Sequence, residues 1–498
     1  MTTDNARYLV RTYGSVVVAA LVIGLVVARL PWELTLLIVL AVVGVTGLAA
    51  VRIAVRPPRP TDTEDRLSEI EDPRFRAARL AYYIGAGSIG LLTIRPAMGF
   101  AVSDWIFLTS LGLAVTVVLM RRIAIPFLVP RAIVLGVVVF AIGGLISSLE
   151  AVSPNASAMV VIRMLYLTLV WFWLGTMVLQ TRAHVHIALA AWVGSAALSS
   201  GGAVAQFFLG DVIPGGGLAW GRMTGFTTHW NQLGGLTATA FVPALMLAVD
   251  SPKKSMQLFG MGATALISAG LLLSGSVGGL LAASGATVLW LALRGMSLRL
   301  VIGVGAVVAT GLILMTSTGT TESPSPVHRI LRVTSAEEAQ KGTGGTIFTR
   351  LEGWSDAWAR IREQPIVGVG LDEASTIEVT EKAVHNMLLG PWFTAGFLGL
   401  VGILVMIGGS LAAGAYVLRN TPPGLRSETA AILAALVGFV QFGMGEPILY
   451  VRYGWFPTAL LIALRAQRVR AGVPASESRR APRRGSSPAR RRAIPALD

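Results

Sequence analysis

"LTLLIVLAVVGVTGLAAV", residues 34 to 51, runs for eighteen residues without a charge. Coiled as a helix at about 1.5 Å per residue, a stretch of this length nearly crosses the ~30 Å hydrocarbon core of a bilayer. Lipid offers the backbone no hydrogen-bond partner, so a span must be a helix or part of a closed barrel. Continuous rather than alternating hydrophobicity selects the helix. A second run, "SVVVAALVIGLVVA" (15–28), precedes it by a few residues with no small-residue cleavage pattern between them. It reads as a retained helix rather than a removable signal.

Working outward, the same signal recurs along all 498 residues, of which 54% are hydrophobic and 13% charged. The predicted class is an all-α polytopic membrane protein with about 12–14 transmembrane helices. Fourteen spans are expected near 10–29, 33–55, 80–98, 104–120, 131–149, 158–180, 185–208, 231–249, 258–275, 277–293, 299–316, 397–418, 428–446 and 452–465. The chain divides into a helix pair with a basic loop (1–79), core helices (80–316), a long loop (317–396), C-terminal helices (397–465) and a disordered basic tail (466–498).

Basic residues set the expected orientation, because Lys and Arg concentrate in cytoplasmic loops. Arg56, Arg59, Arg66, Arg74, Arg76 and Arg79 share one connection. Arg121 with Arg122 and Arg131, then Arg182, Lys253 with Lys254, Arg294 with Arg299, and Arg419 with Arg426 fall in every second connection after it. Both termini are therefore expected in the cytoplasm. From Arg465 onward ten arginines face only Glu477 and Asp498, so the tail contributes +8 of the formal +15. Rich in Pro, Ser and Arg, it reads as a topology determinant touching anionic lipid headgroups, not as a nucleic-acid arm.

The sequence contains no cysteine. That excludes disulfides, thiolate catalysis and cysteine-ligated metals, and leaves His, Arg, Lys, carboxylates and hydroxyls for any chemistry. Two outward connections stand out. The one from 209 to 231 contains "WGRMTGFTTHWN". The other, 317–396, includes "TRLEGWSDAWARIREQP" (349–365), in which Leu351, Trp354, Ala357, Trp358 and Ile361 form one helical stripe. That spacing predicts an amphipathic helix lying along the membrane surface. Arg222, Arg350 and His385 sit beside these segments.

Four motifs occur in order: R-x-T-G from Arg222, R-x-x-x-W from Arg350, P-[IL]-x-G-x-G from Pro365 and H-N-x-x-L from His385. Together, over roughly residues 100–445, they resemble the O-antigen ligase/polymerase superfamily of bacterial membrane glycosyltransferases. The resemblance implies transfer of a glycan from a polyprenyl pyrophosphate carrier to an acceptor hydroxyl at the outer face of the plasma membrane. It implies no metal and no other cofactor. Arg222 and Arg350 match the positions expected to hold the donor pyrophosphate, where a guanidinium can grip phosphate oxygens in pairs. His385 matches the expected catalytic base, since an imidazole with an ordinary pKa near 6.5 accepts a proton at neutral pH. The nature of the acceptor, whether glycan, lipid or protein, is left open, as is the choice between ligase and polymerase.

Several further residues are candidate accessories. Asn386 could orient the His385 ring or a sugar hydroxyl, and His229 could face the same cavity. Glu446 and Arg452 are expected to pair with each other, or Glu446 to contact the acceptor. Where the family often carries S-R-G, this chain has Ser276, Val277 and Gly278, with Arg163 or Arg452 as substitute cations. Asp104 reads as a helix cap or first-turn acid. His184 and His186, two apart on a helix, face different ways and make a poor metal site. The alternative is a transporter or flippase of envelope glycolipids. Transport favours ionisable groups at mid-span, whereas here charges lie at span ends, with Arg163 the nearest exception.

Overall fold

The computed structural model describes residues 72–95, 100–121, 127–219, 221–295, 347–381, 383–447 and 449–471. The expected spans at 10–29, 33–55 and 299–316 lie outside the described residues. The protein is an all-α polytopic membrane protein. Its helices are α1 (Arg76–Gly87), α2 (Val102–Arg121), α3 (Arg131–Ser147), α4 (Pro154–Leu165), α5 (Trp171–Val178), α6 (Arg182–Leu209), α7 (Trp230–Asp250), α8 (Lys254–Ser274), α9 (Val277–Leu293), α10 (Ile347–Glu363), α11 (Glu373–Thr380), α12 (Leu389–Arg419), α13 (Arg426–Gly443) and α14 (Arg452–Arg470). Among the described residues seven helical stretches are long and apolar enough to cross a membrane. One of these joins α4 to α5 through a π-helical turn, Tyr166–Val170.

Successive long helices run up and down, so the connections fall at two ends. Arg182, Lys253, Arg294 and Arg419 mark one, the basic end. Arg222, Arg350 and His385 all lie at the other, the site end. The core is an apolar bundle in which α3 packs along α12, α7 along α8 and α13, and α14 between α5, α12 and α13. Close approach of α3 to α12 depends on missing side chains. A Cβ on Gly136 would stand 2.7 Å from the Gly402 carbonyl oxygen, and one on Gly402 would stand 2.5 Å from the Phe140 nitrogen. Small residues serve membrane helices this way because lipid tails offer no hydrophobic drive to association, only packing.

Three boundaries depart from expectation. The helix read at 80–98 ends at Gly87, and the chain turns at 88–90. Beyond the turn, Gly90 N–H donates to Ser195 Oγ (2.5 Å) and Thr93 N–H to the Phe226 carbonyl (3.0 Å), partners outside any helix ladder. The C-terminal helix continues past 465 to Arg470. Buried Gln467 donates to the Leu179 carbonyl (2.9 Å) and Arg468 to Thr421 Oγ1 (3.2 Å), so these residues are docked rather than part of a tail. Finally, α12 starts at Leu389, before the expected 397, but is broken at Gly396 (φ 69°, ψ −170°).

The break has a built cause. The Pro365–Gly370 segment lies against it, with Phe397 N–H donating to the Ile366 carbonyl (3.3 Å), Val369 N–H to the Phe393 carbonyl and Gly370 N–H to the Thr394 carbonyl (both 3.0 Å). The P-I-V-G-V-G motif is thus a backbone strap that pairs with the carbonyls and amide freed by an interrupted helix, as buried backbone groups require. The amphipathic stripe of α10 also holds. Ala357, Trp358 and Ile361 are buried, and Trp358 meets Trp392 edge to face at 5.4 Å.

Candidate active site

Three turns converge at the site end. The first is the α6–α7 connection, where a two-residue hairpin (Leu218–Ala219 with Arg222–Met223) carries Arg222. The Arg222 Nε donates to the Ser274 carbonyl (2.7 Å) and Nη2 to Asn231 Oδ1 (2.6 Å), while the guanidinium lies over the Trp230 ring at 5.0 Å. Ser274 closes α8 beside left-handed Gly275, and Ser276 Oγ caps α9 by accepting from Gly279 N–H (3.2 Å). The S-V-G turn therefore abuts Arg222, with Val277 as the first helical residue of α9.

The second turn presents His385. Asn386 Oδ1 accepts from the N–H groups of Leu388 (2.9 Å) and Leu389 (3.0 Å), which caps the start of α12, and its Nδ2 donates to the Met444 carbonyl (3.4 Å). Met387 N–H adds a bond to the Gly443 carbonyl (2.7 Å), and Trp354 Nε1 on α10 donates to the His385 carbonyl (3.0 Å). Asn386 is buried and committed to backbone. Its effect is to staple the His385 turn to the end of α13, from which the third turn emerges.

That third turn carries Glu446, 4% exposed and the hub of the site. Its Oε1 accepts from Arg350 Nη2 (2.6 Å) and from Asn231 Nδ2 (2.7 Å), and its Oε2 lies 3.5 Å from His385 Nδ1. Arg222, Asn231, Glu446 and Arg350 form a chain of charge-assisted contacts with the imidazole at its edge. Among the described residues the other N–H groups of Arg350 make no hydrogen bond. The His385 side chain remains 31% exposed, which leaves it open to a solute.

Burial alone would raise the Glu446 pKa, but the His385 ring, the Arg350 charge and the Asn231 amide outweigh it and hold the carboxyl below the ordinary glutamate range. The stability that Glu446 contributes is therefore present above the ordinary value of about 4.5 and is lost as pH falls through its lower native pKa. Melting temperatures of the detergent-solubilised protein, followed between about pH 3 and 6, should drop on the acid side. Glu446→Gln should lower the plateau and flatten that limb, whereas an unchanged slope would assign the acid sensitivity to other carboxylates.

His229 caps α7, its Nδ1 accepting from Asn231 N–H (3.1 Å). Burial, joined by Arg222 and His385 and opposed by Glu446, lowers its pKa and keeps it neutral. It lies in the electrostatic reach of the cluster but serves to seat Asn231.

The expected Glu446–Arg452 pair does not form. Arg452 opens α14 and grips Asp104 with both Nε (2.8 and 3.0 Å) and Nη2. Asp104 is buried in the first turn of α2, where it also accepts from Ala101 N–H (2.9 Å). The two side chains turn toward different neighbours, and nothing local in the sequence reports that divergence. The sequence likewise gave Asn231 no place in the site; only its distance from Glu446 reveals one. At the basic end His184 and His186 part as expected, to Arg79 (2.9 Å) and Glu428 (2.6 Å).

Residues 262–404 match the family model described as O-antigen ligase. That span includes Arg350 and His385 together with the strap and the break in α12. The chain is also 27% identical over 180 residues to the O-antigen ligase of Salmonella typhimurium (strain LT2), covering 33% of this chain and 43% of that protein. Both matches agree with the resemblance to the O-antigen ligase/polymerase superfamily. The chain thus spans less than half the length of the curated relative it matches. Arg222, Asn231 and Glu446 lie outside the residues matched by the family model, and the structure brings them to Arg350 and His385 through the contacts of Glu446.

Proposed function

We propose that the protein is a glycosyltransferase that moves a glycan from a polyprenyl pyrophosphate carrier to an acceptor hydroxyl at the outer face of the plasma membrane, during envelope polysaccharide synthesis. The observation that carries this reading is one buried carboxylate, Glu446, that joins Arg350, Asn231 with Arg222, and His385 at one end of a membrane bundle. Its sidedness is supported by the basic residues gathered at the opposite end, which the positive-inside tendency places in the cytoplasm.

The chemistry follows from the arrangement. With Nδ1 turned to Glu446, His385 offers Nε2 to the acceptor hydroxyl, the carboxylate–imidazole order that fixes a tautomer and stabilises the cation formed. As the acceptor oxygen bonds to the anomeric carbon, its proton passes to His385 and the bond from that carbon to the phosphate oxygen breaks. The electron pair leaves on the pyrophosphate, whose growing charge Arg350 and Arg222 are placed to meet.

The transporter alternative finds less support, because the clustered ionisable groups sit at one end of the bundle. The test is Arg350→Gln in full-length protein reconstituted with lipid-linked glycan extracted from the host. Transfer should fall by about two orders of magnitude or more, in the range lost with one preorganised donor to a developing anion. Transfer at the wild-type rate, with the protein folded, would overturn the reading.

A further inference from the structure

Beside the Glu446 cluster lies a separate cavity of about 170 Å³, lined by Arg95, Asp104, Arg163, Tyr166, Gln232 and Arg452 among others. A single water needs only ~10–15 Å³ of such space, so the cavity has room for a polyatomic group. It adjoins the site through α7: Gln232 follows Asn231 directly, and the Arg452 end of the Glu446 turn forms another wall.

Its charge is unbalanced. Asp104 is matched by Arg452, which leaves Arg95 and Arg163 without an acid among the described residues. Arg95 is exposed and spends Nε on the Leu92 carbonyl (3.1 Å). Arg163 is the unusual group. Its Nε is buried and has no hydrogen-bond partner among the described residues, and its guanidinium rests near the Phe100 ring at 5.8 Å. It stands nine residues into a membrane-spanning stretch that begins at Pro154, about 13 Å along the helix at ~1.5 Å per residue. A guanidinium within a span is costly unless it is paired or serves a water-filled cavity. An unsatisfied buried donor is itself a penalty that a bound acceptor would remove.

A second, independent feature points to the same place. The helix carrying Arg163 passes directly into the π turn Tyr166–Val170, an interruption found often at functional sites. The turn places Tyr166 in the cavity wall with its hydroxyl donating to the Asp104 carbonyl oxygen (2.9 Å). Gln232 accepts from Thr228 Oγ1 (2.8 Å), and its amide N–H groups donate to no described residue. The lining thus offers guanidinium and amide donors and one carboxylate that is already matched.

We propose that this cavity binds an oxyanion, a phosphoryl or carboxylate group borne by one of the two transfer substrates, in addition to the group met by Arg222 and Arg350. This deepens the transfer reading and rests on it for the identity of the substrates, but the binding itself can be tested without transfer. Full-length protein in lipid nanodiscs is titrated calorimetrically with inorganic phosphate. Wild type should show two binding components. Arg163→Gln should lose one, weakened by about tenfold or more, as expected for a lost charge-assisted contact. Arg163→Lys, which keeps the charge, should retain part of it and guards against a folding artefact, since both variants must melt as wild type does.

A phosphate titration unchanged in a folded Arg163→Gln protein overturns the cavity proposal, whatever Arg350→Gln does. A titration changed by Arg163→Gln but not by Arg350→Gln upholds the cavity and counts instead against the pyrophosphate role of Arg350. In the transfer assay, a raised KM for the extracted lipid-linked donor alone assigns the oxyanion to the donor, and a raised KM for the acceptor alone assigns it to the acceptor. Both outcomes support the site; no change in either KM overturns it.

Discussion

His385→Ala is expected to abolish glycan transfer while leaving the protein in the membrane. The side chain is partly exposed and lies 3.5 Å from Glu446, so its removal deletes few contacts. The turn that carries it is held by backbone bonds, through Asn386, Met387 and Trp354, none of which needs the imidazole. Loss of a general base typically costs about 10²- to 10⁴-fold in rate. In the native host the substitution should cause polyprenyl pyrophosphate glycans to accumulate, with the protein level checked by immunoblot. Single repeat units in the accumulated lipid would identify a polymerase; long chains would identify a ligase. An unchanged lipid profile, with the protein present, would remove His385 from the catalytic role and shift weight to transport.

Gly396→Ala should have the largest effect on folding. The residue holds φ at 69°, a left-handed value that costs a residue with a Cβ about 1–3 kcal/mol. The added Cβ would also stand 2.0 Å from the Ile366 carbonyl oxygen. Relief requires the strap to withdraw, which breaks the bonds from Phe397, Val369 and Gly370, each worth about 1 kcal/mol net. The sum reaches several kcal/mol, a large part of the stability of a typical protein. Gly368→Ala attacks the same contact from the other side, its Cβ falling 2.3 Å from Thr394. Gly408→Ala, in the same helix with nothing within 4 Å, is the control and should be neutral or slightly stabilising. Fluorescence-detected size exclusion of heated, solubilised protein reads all three. A Gly396→Ala protein that melts with the control would show that the strap is not essential to the fold.

The consequence for function is positional. The break lies inside α12, about two turns after the helix leaves the His385 turn, and the strap braces it there. Neither glycine touches His385, so an effect of either substitution on transfer would act through the placement of the first turns of α12. Asn386, which the motif places next to the histidine, spends its described hydrogen bonds on backbone groups at the start of α12 and the end of α13.

The sequence by itself determined the class of the protein and most of its helices, because membrane insertion reads long apolar runs and end charges, both of which are local. Within the described residues α2, α6, α7, α8, α9 and α13 begin and end within a few residues of where hydrophobicity changes. Motif order was enough to single out Arg222, Arg350 and His385. Only the tertiary structure decided how charges pair: Glu446 with Arg350 and Asn231, and Arg452 with Asp104, 348 positions away in the chain. A buried charge must find its opposite in space, since leaving it alone costs several kcal/mol, and the partner is chosen by how helices pack, on which hydropathy is silent. The break at Gly396 belongs to the same category. Its glycine is visible in the sequence, but the strap that fills it is brought there only by the fold.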